Sequence, residues 1–344
     1  MNAKLTPKKV LIIRFSSIGD IVLTTPVIRC VKQQLGAEVH FLTKKSFRVV
    51  LEANPYVDQL ITISKKVEEV LHVLKAAQYD LIIDLHKNLR TAKLKWLLGV
   101  PSVAFNKLNV EKWLIVNLKV NRLPDAHIVD RNLATVASLG VENDGEGLDY
   151  FIPEKQEVEL ASLFGDFEIP DGMVPPVDER GNPQYVAFVI GAAHATKRLP
   201  MHRIIEVCRG IKRPIVLLGG PNEAEVGQSI AEQAGRHVLN SCGQFKLNQS
   251  ASMVRQAWKV ISHDTGLMHI AAAFQKEIIS VWGNTIPAFG MYPYYGAQAT
   301  PHEMVEVQPL SCRPCSKIGY DNCPKGHFKC MEQISIETIQ KACI

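Results

Sequence analysis

Four residues between positions 264 and 269 have the types and spacing to hold an anion: Asp264, Thr265, Gly266 and His269. They follow the short apolar run Val260-Ile261-Ser262 and open into small, helix-favouring residues from Leu267 onward. That pattern reads as strand, tight turn and the start of a buried helix. The first turn of such a helix offers unpaired N–H groups and the positive end of its dipole, so a phosphate can dock there. His269 lies one turn on and faces the same way. The same residues would equally make a plain helix cap followed by a core histidine.

Three further loops carry comparable chemistry. Ser16-Ser17-Ile18-Gly19-Asp20 follows the apolar run Val10–Ile13 and is not a G-x-G-x-x-G turn, so a dinucleotide fingerprint is absent. Gly19 permits close backbone approach, and Asp20 sits at a helix start, where it either caps the helix or serves as a general base. Gly191–Pro200 places small residues, the Thr196 hydroxyl and the cations Lys197 and Arg198 directly after a strand. That combination suits a diphosphate, with a solvated basic turn as the alternative. Gly219-Gly220-Pro221-Asn222-Glu223 ends another apolar run. Glu223 would there hold a pair of ribose hydroxyls, or simply open the next helix.

The elements that must position these loops alternate. Strands are expected at 9–15, 39–42, 60–63 and 80–84, with helices at 21–35, 47–53, 67–77, 90–98, 109–118 and 128–139. Between Val141 and Gln184, Gly, Pro, Asp and Glu crowd in and periodicity is lost, as in an interdomain connection. The alternation restarts at Tyr185–Ile190 and runs to Ile278–Val281. Such β-α-β texture specifies parallel sheets covered by helices. The expected architecture is therefore α/β: two doubly wound, Rossmann-like domains in series, residues 1–170 and 171–344, facing across a cleft. Ligands of such sheets bind at the carboxyl ends of the strands.

Composition bounds the rest. With 344 residues, 47% of them apolar and 21% charged, the chain can build two ordinary globular cores. No apolar stretch approaches the ~18–20 residues that span a bilayer. Residues 1–9 are polar and lysine-bearing, unlike a secretory leader, so a cytoplasmic location with mainly reduced cysteines is expected. The net charge of +5 is uneven. Residues 1–140 hold 21 Lys and Arg against 11 Asp and Glu, whereas residues 141–344 hold 18 against 23. A basic first half implies an anionic partner.

Taken together, the loops resemble the heptosyltransferase family of lipopolysaccharide biosynthesis, glycosyltransferase family 9. The likeness runs over nearly the whole chain. It is carried by Val10-Leu11-Ile12-Ile13-Arg14-Phe15-Ser16-Ser17-Ile18-Gly19-Asp20, Asn54-Pro55-Tyr56-Val57-Asp58, Asp84-Leu85-His86-Lys87-Asn88-Leu89-Arg90, Lys197-Arg198-Leu199-Pro200 and Asp264-Thr265-Gly266-Leu267-Met268-His269. The resemblance implies a GT-B fold, with acceptor bound by the first domain and nucleotide-sugar by the second. It implies inverting, metal-independent transfer of heptose from ADP-heptose to the inner core (Kdo/heptose-lipid A) of lipopolysaccharide. By it, Asp20 matches the base that deprotonates the acceptor, and Lys197 the cation that steadies the departing diphosphate. Thr196, Glu223, Asp264, Thr265, Gly266 and His269 match donor contacts, and Ser17, Gly19, His86, Lys87 and Arg90 fall in the acceptor segments. The chain departs from the family at Leu199, often Trp, and in carrying His194. Alternatives are a relative using another nucleotide-sugar or acceptor, and a sugar-nucleotide-binding protein without turnover.

Two features lie outside that scheme. Cys312, Cys315, Cys323 and Cys330, with His327 between the last two, have spacing that invites a structural zinc ion. Lys87, Arg90, Lys93 and Lys95, then Lys107, Lys112, Trp113, Lys119 and Arg122, crowd two expected helices. They fit a phosphorylated, lipid-linked saccharide acceptor and peripheral contact with an anionic inner-membrane surface. Nucleic acid is disfavoured, because no stacking platform accompanies the charge.

Overall fold

Val10–Ile13 are apolar on both faces and wholly buried, which makes β1 (Lys9–Ile13) a central parallel strand rather than an edge. Around it lie β2 (Glu38–Lys44), β3 (Gln59–Ile63), β4 (Leu81–Asp84) and β5 (Ser102–Ala104), in the all-parallel order β3-β2-β1-β4-β5. In the computed structural model, residues 7–165, 167, 168 and 170–344 are described, and the chain divides into two units. This sheet belongs to the first, drawn from Met1–Leu108, Ala126–Phe151 and Tyr294–Gln298.

The first unit's helices are α1 (Ile18–Val22), α2 (Thr25–Leu35), α3 (Leu71–Ala76) and α4 (Leu89–Leu98). After α5 (Asn109–Asn117), a helix of the second unit, comes α6 (Ile128–Leu133), again of the first. The helix expected over 21–35 is broken in two, because Pro26 sits in the first turn of α2 and cannot donate to a preceding turn. Gly36, at φ +62°, ends α2 in the left-handed conformation that glycine adopts freely. The short helix expected over 47–53 is a 3-10 turn, Lys45–Val50, and the one over 67–77 begins as a 3-10 turn before α3.

The second unit holds α5, α7 (Leu160–Phe164), β6 (Val186–Val189), α8 (Met201–Gly210), β7 (Ile215–Leu218), α9 (Ala224–Ala234) and β8 (Val238–Asn240). It continues with α10 (Leu247–Gln256), β9 (Lys259–His263), α11 (Gly266–Ala273), β10 (Glu277–Trp282), β11 (His302–Glu306), α12 (Lys329–Glu332) and α13 (Ile336–Lys341). Its six strands are parallel, in the order β11-β10-β9-β6-β7-β8. Val186, Phe188, Leu217, Ile261 and Ile279 anchor its core. In both sheets the strand order reverses beside the first strand of the unit, between β1 and β4 and between β6 and β9. Such a reversal opens a crevice at the strands' carboxyl ends.

The expected boundary at residue 170 is displaced, and buried charge explains why. Arg29 of α2 is 3% exposed and donates to Asp144 (2.7 and 2.9 Å), to Asp149 and to the Gly147 carbonyl (2.9 Å), so residues 144–149 are fixed to the first unit. The Arg29 hydrogen bonds hold the Asp144 carboxyl down at about 2. Ile152–Pro293 belongs to the second unit, where the Val158 N–H donates to Ser252 Oγ (3.0 Å) and that hydroxyl donates to Glu157 (2.6 Å).

Candidate functional site

In the first unit, the loops leaving β1 and β4 are organised by two charges that interrupt the ends of apolar runs. Arg14 follows β1. Its guanidinium donates to the carbonyls of Ser16 (2.9 Å) and Leu85 (2.6 Å) and pairs with Asp20 at 2.5 Å. Asp20 stands on the third residue of α1, and its other oxygen accepts from the Ser17 N–H (3.1 Å) and hydroxyl (2.7 Å). Both readings of Asp20 therefore describe one side chain: it reaches back to its own helix start and still keeps 27% of its surface open to solvent.

Asp84, wholly buried at the end of β4, is the second organiser. One oxygen accepts from the N–H groups of His86 (3.1 Å) and Lys87 (2.7 Å), and the other lies 3.0 Å from Lys95 Nζ. The β1–β4 register pairs Ile13 with Asp84, so these loops leave neighbouring strands side by side. The His86 ring packs edge-on to Phe15 with centroids 5.1 Å apart, and the Arg90 guanidinium lies over the Phe15 ring, 5.4 Å from its centroid. Burial, aided by Arg14 and Lys107, pushes His86 down to about 4, so it is neutral at physiological pH. Of the expected acceptor residues, Asp20, Ser17, Gly19 and His86 share this loop cluster, with Arg90 beside it. Lys87 is exposed, at φ +46°.

In the second unit, four loops meet at the carboxyl ends of β6, β7, β9 and β10. Thr265 caps α11 in extended conformation, and its hydroxyl lies 3.3 Å from Ser262 Oγ. Lys197 Nζ donates to Asp264 Oδ2 at 2.6 Å, and the same oxygen accepts from Thr285 Oγ1 at 3.0 Å. A cation, a carboxylate, a hydroxyl and a helix N-terminus thus adjoin at the reversal point, an arrangement that can take a phosphate.

Glu223 is nested against three glycines. A Cβ on Gly191 or Gly220 would lie 3.2 or 3.3 Å from its carboxylate, and one on Gly219 would lie 2.8 Å from its own Cβ. Its oxygens accept from the Gly220 N–H (2.9 Å) and from Arg198 (3.2 Å). His269 is buried inside α11. His263, fully enclosed, accepts the Leu199 N–H at Nε2 (3.0 Å) and is pushed down to about 3 by burial. Leu199 is itself buried.

Thr196 is committed elsewhere. Its N–H and hydroxyl donate to the Tyr320 carbonyl (3.1 and 3.0 Å), and the hydroxyl accepts the Tyr320 N–H (2.8 Å). Tyr320 belongs to the cysteine-bearing tail, which straps the loop after β6. Arg313 of that tail donates to the carbonyls of Gly283 (2.5 Å) and Thr285 (2.9 Å) and pairs with Glu306 at 2.7 Å. His194 rests on Gly319, where a Cβ would come within 2.5 Å of its own.

The expected zinc set is not assembled. Cys315 Sγ donates to the Cys312 carbonyl (3.1 Å), Cys312 Sγ lies 3.9 Å from His327 Nε2, and Cys330 is packed into the second unit's apolar core. Among the described residues no group of three or more His, Cys, Asp or Glu side chains could hold a metal ion. The spacing was suggestive, but the Cys315 thiol is taken by a backbone carbonyl and Cys330 by core packing.

Sequence reasoning missed Arg14, Asp84, Thr285 and Arg313 as site builders. Arg14 and Asp84 carried a signal: a charge at the end of an otherwise apolar strand run is buried only where it is paired. Thr285 and Arg313 carried none, since their partners lie 21 and 28 to 30 positions away.

The family model of glycosyltransferase family 9 (heptosyltransferase) matches residues 67–320. A lipooligosaccharide heptosyltransferase 2 of Haemophilus ducreyi is 25% identical over 301 residues, covering 82% of this chain and 85% of its own. Among solved structures, a glycosyl transferase family 9 protein of Veillonella parvula superposes with a TM-score of 0.74 at 23% identity, over 97% and 96% of the two chains. The Escherichia coli ADP-heptose heptosyltransferase II superposes with a TM-score of 0.67 at 18% identity, over 97% of each.

Proposed function

Because the chain belongs to glycosyltransferase family 9 and is a GT-B glycosyltransferase, we propose that it moves a heptose from ADP-heptose to the inner core of lipopolysaccharide, with inversion and without a metal. The observation that carries this reading is the Lys197–Asp264–Thr285 cluster at the N-terminus of α11. A departing nucleoside diphosphate needs its developing charge stabilised, and an ammonium beside the N–H groups of a helix start supplies that. On donor binding the diphosphate competes with Asp264 for the Lys197 ammonium. Glu223 and Arg198 flank the nucleotide end, and Thr265 and Gly266 offer backbone donors.

Asp20 takes the proton of the acceptor hydroxyl as its oxygen bonds to the anomeric carbon and the bond from that carbon to the diphosphate breaks. Arg14 and Ser17 orient the carboxylate for this. Ser17, Gly19, His86, Lys87 and Arg90 contact the acceptor, with His86 as an uncharged hydrogen-bonding partner. The acceptor is a phosphorylated, lipid-linked saccharide met by peripheral contact at the cytoplasmic face of an anionic membrane. No helix among the described residues is long and apolar enough to cross one.

The test is ADP release from purified protein given ADP-heptose and a deacylated core acceptor. Release that disappears in Asp20→Ala supports transfer, whereas donor binding without turnover in the wild type identifies a non-catalytic binder. A thermal-shift screen of ADP-, UDP- and GDP-sugars addresses the donor. A UDP- or GDP-sugar that stabilises more than ADP-heptose would overturn that assignment.

A further inference from the structure

Helix α5 shows the wrong side to water. Ile115 is buried, yet Val110 and Trp113 are 68% and 56% exposed, and Leu118 and Val120, just past the helix end, are 57% and 43% exposed. On helical spacing Val110 and Trp113 lie on one stripe, and the exposed Leu118 and Val120 follow it past the helix end. Residues 107–122 set four cations around it, Lys107, Lys112, Lys119 and Arg122, against one carboxylate, Glu111. Lys119 stops the helix at φ +58°, and its ammonium donates to the carbonyls of Val116 (2.8 Å), Cys312 (3.2 Å) and Pro314 (2.7 Å). These acceptors are neutral, so they fasten the helix end without cancelling the charge.

Helix α4 also exposes apolar side chains, Leu89 and Trp96. Its Lys93 and Lys95, however, are already paired with Glu68 and Asp84. In α5 an outward apolar stripe runs to Lys119, whose ammonium is held by neutral carbonyls. A protein interface would call for a lysine-poor centre. An apolar stripe with a tryptophan, rimmed by cations, is the pattern of a helix lying in the interface of an anionic bilayer.

We infer that α5 and the turn after it, residues 109–120, dock on anionic phospholipid, with Val110, Trp113 and Leu118 reaching the acyl boundary and the cations at headgroup level. This deepens the membrane contact proposed above by naming the element that makes it.

The experiment is co-sedimentation of the full chain with vesicles of phosphatidylethanolamine and phosphatidylglycerol, beside vesicles of phosphatidylcholine alone. Binding is expected only to the anionic vesicles. It should fall about fivefold with each of Lys112→Gln and Arg122→Gln and largely vanish in Trp113→Ser/Leu118→Ser. Brominated acyl chains should quench wild-type fluorescence more than that of Trp113→Phe. Equal binding by wild type and the double variant overturns the inference. So does a lipid-free dimer that the double variant dissolves, which would make α5 a contact between copies. ADP release with the soluble acceptor separates the two readings. If it persists while vesicle binding fails, only the docking inference falls; if vesicle binding holds without ADP release, only the transferase reading does.

Discussion

The two crevices share a topology and present opposite charges. In the first unit a carboxylate, Asp20, is held by a hydroxyl three residues before it and by Arg14 six residues before it. In the second a cation, Lys197, is held by a carboxylate 67 residues away and, through it, by a threonine a further 21 along. The first charge is thus placed by its own loop, and the second by the packing of three strands. Local placement resists change elsewhere in the fold, whereas the assembled cluster depends on everything that keeps its strand ends together.

The sharpest way to break this comparison is Asp20→Ala. Turnover should drop by about 10³-fold, while the thermal stabilisation by donor is retained. Loss of donor stabilisation as well would mean that the two crevices are not functionally distinct. Next in size, Asp84→Ala should cost about 3 kcal/mol of folding stability, measured by denaturant melts, because it removes a wholly buried carboxylate on which two N–H groups and Lys95 converge. A loss under about 1 kcal/mol would show that the first crevice holds its shape without Asp84.

A pH titration sharpens the second crevice. His263 is neutral in the fold down to about pH 3 but takes a proton below ~6.5 when unfolded. The unfolded state therefore binds more protons between those values, and stability falls as pH drops through that window. Between pH 7 and 5 this costs about 2 kcal/mol. Denaturant melts of His263→Gln should show that much less acid sensitivity than wild type, and parallel slopes would refute the assignment. The smallest effect is expected of Thr285→Val. Losing one hydrogen bond to Asp264 should weaken donor stabilisation by about 1 kcal/mol, with Thr285→Ser restoring it. A variant indistinguishable from wild type would leave Lys197 and Asp264 self-sufficient.

Legibility followed the range of the interactions. Central strands such as β1, β6 and β9 were readable because residues buried on both faces must be apolar in an unbroken run. The edge strands β5 and β11 were not: Ser102-Val103-Ala104 is too short, and His302–Glu306 is polar because three of its residues face water. The α11 start was legible from Asp264-Thr265-Gly266, and the α1 start from Ser17 and Asp20, since both are local backbone devices. Thr196 was expected to be a donor contact; that the Tyr320 backbone, 124 residues on, holds its hydroxyl had no local signal. The division near 151 rather than 170 was set by Arg29 gripping residues more than a hundred positions away.

What the chain determined by itself is the alternation of strands and helices, the loops that carry Asp20, Lys197 and Asp264-Thr265-Gly266, and hence the family. Those features rest on side-chain periodicity and helix ends, which act over a few residues. Which charge meets which was decided only by tertiary structure: Arg14 on Asp20 and the Leu85 carbonyl, Thr285 on Asp264, and Arg313 on the carbonyls of Gly283 and Thr285. A buried ionic group needs a partner within hydrogen-bond reach. Parallel strands that neighbour in space but not in sequence supply that partner only once the sheet has closed.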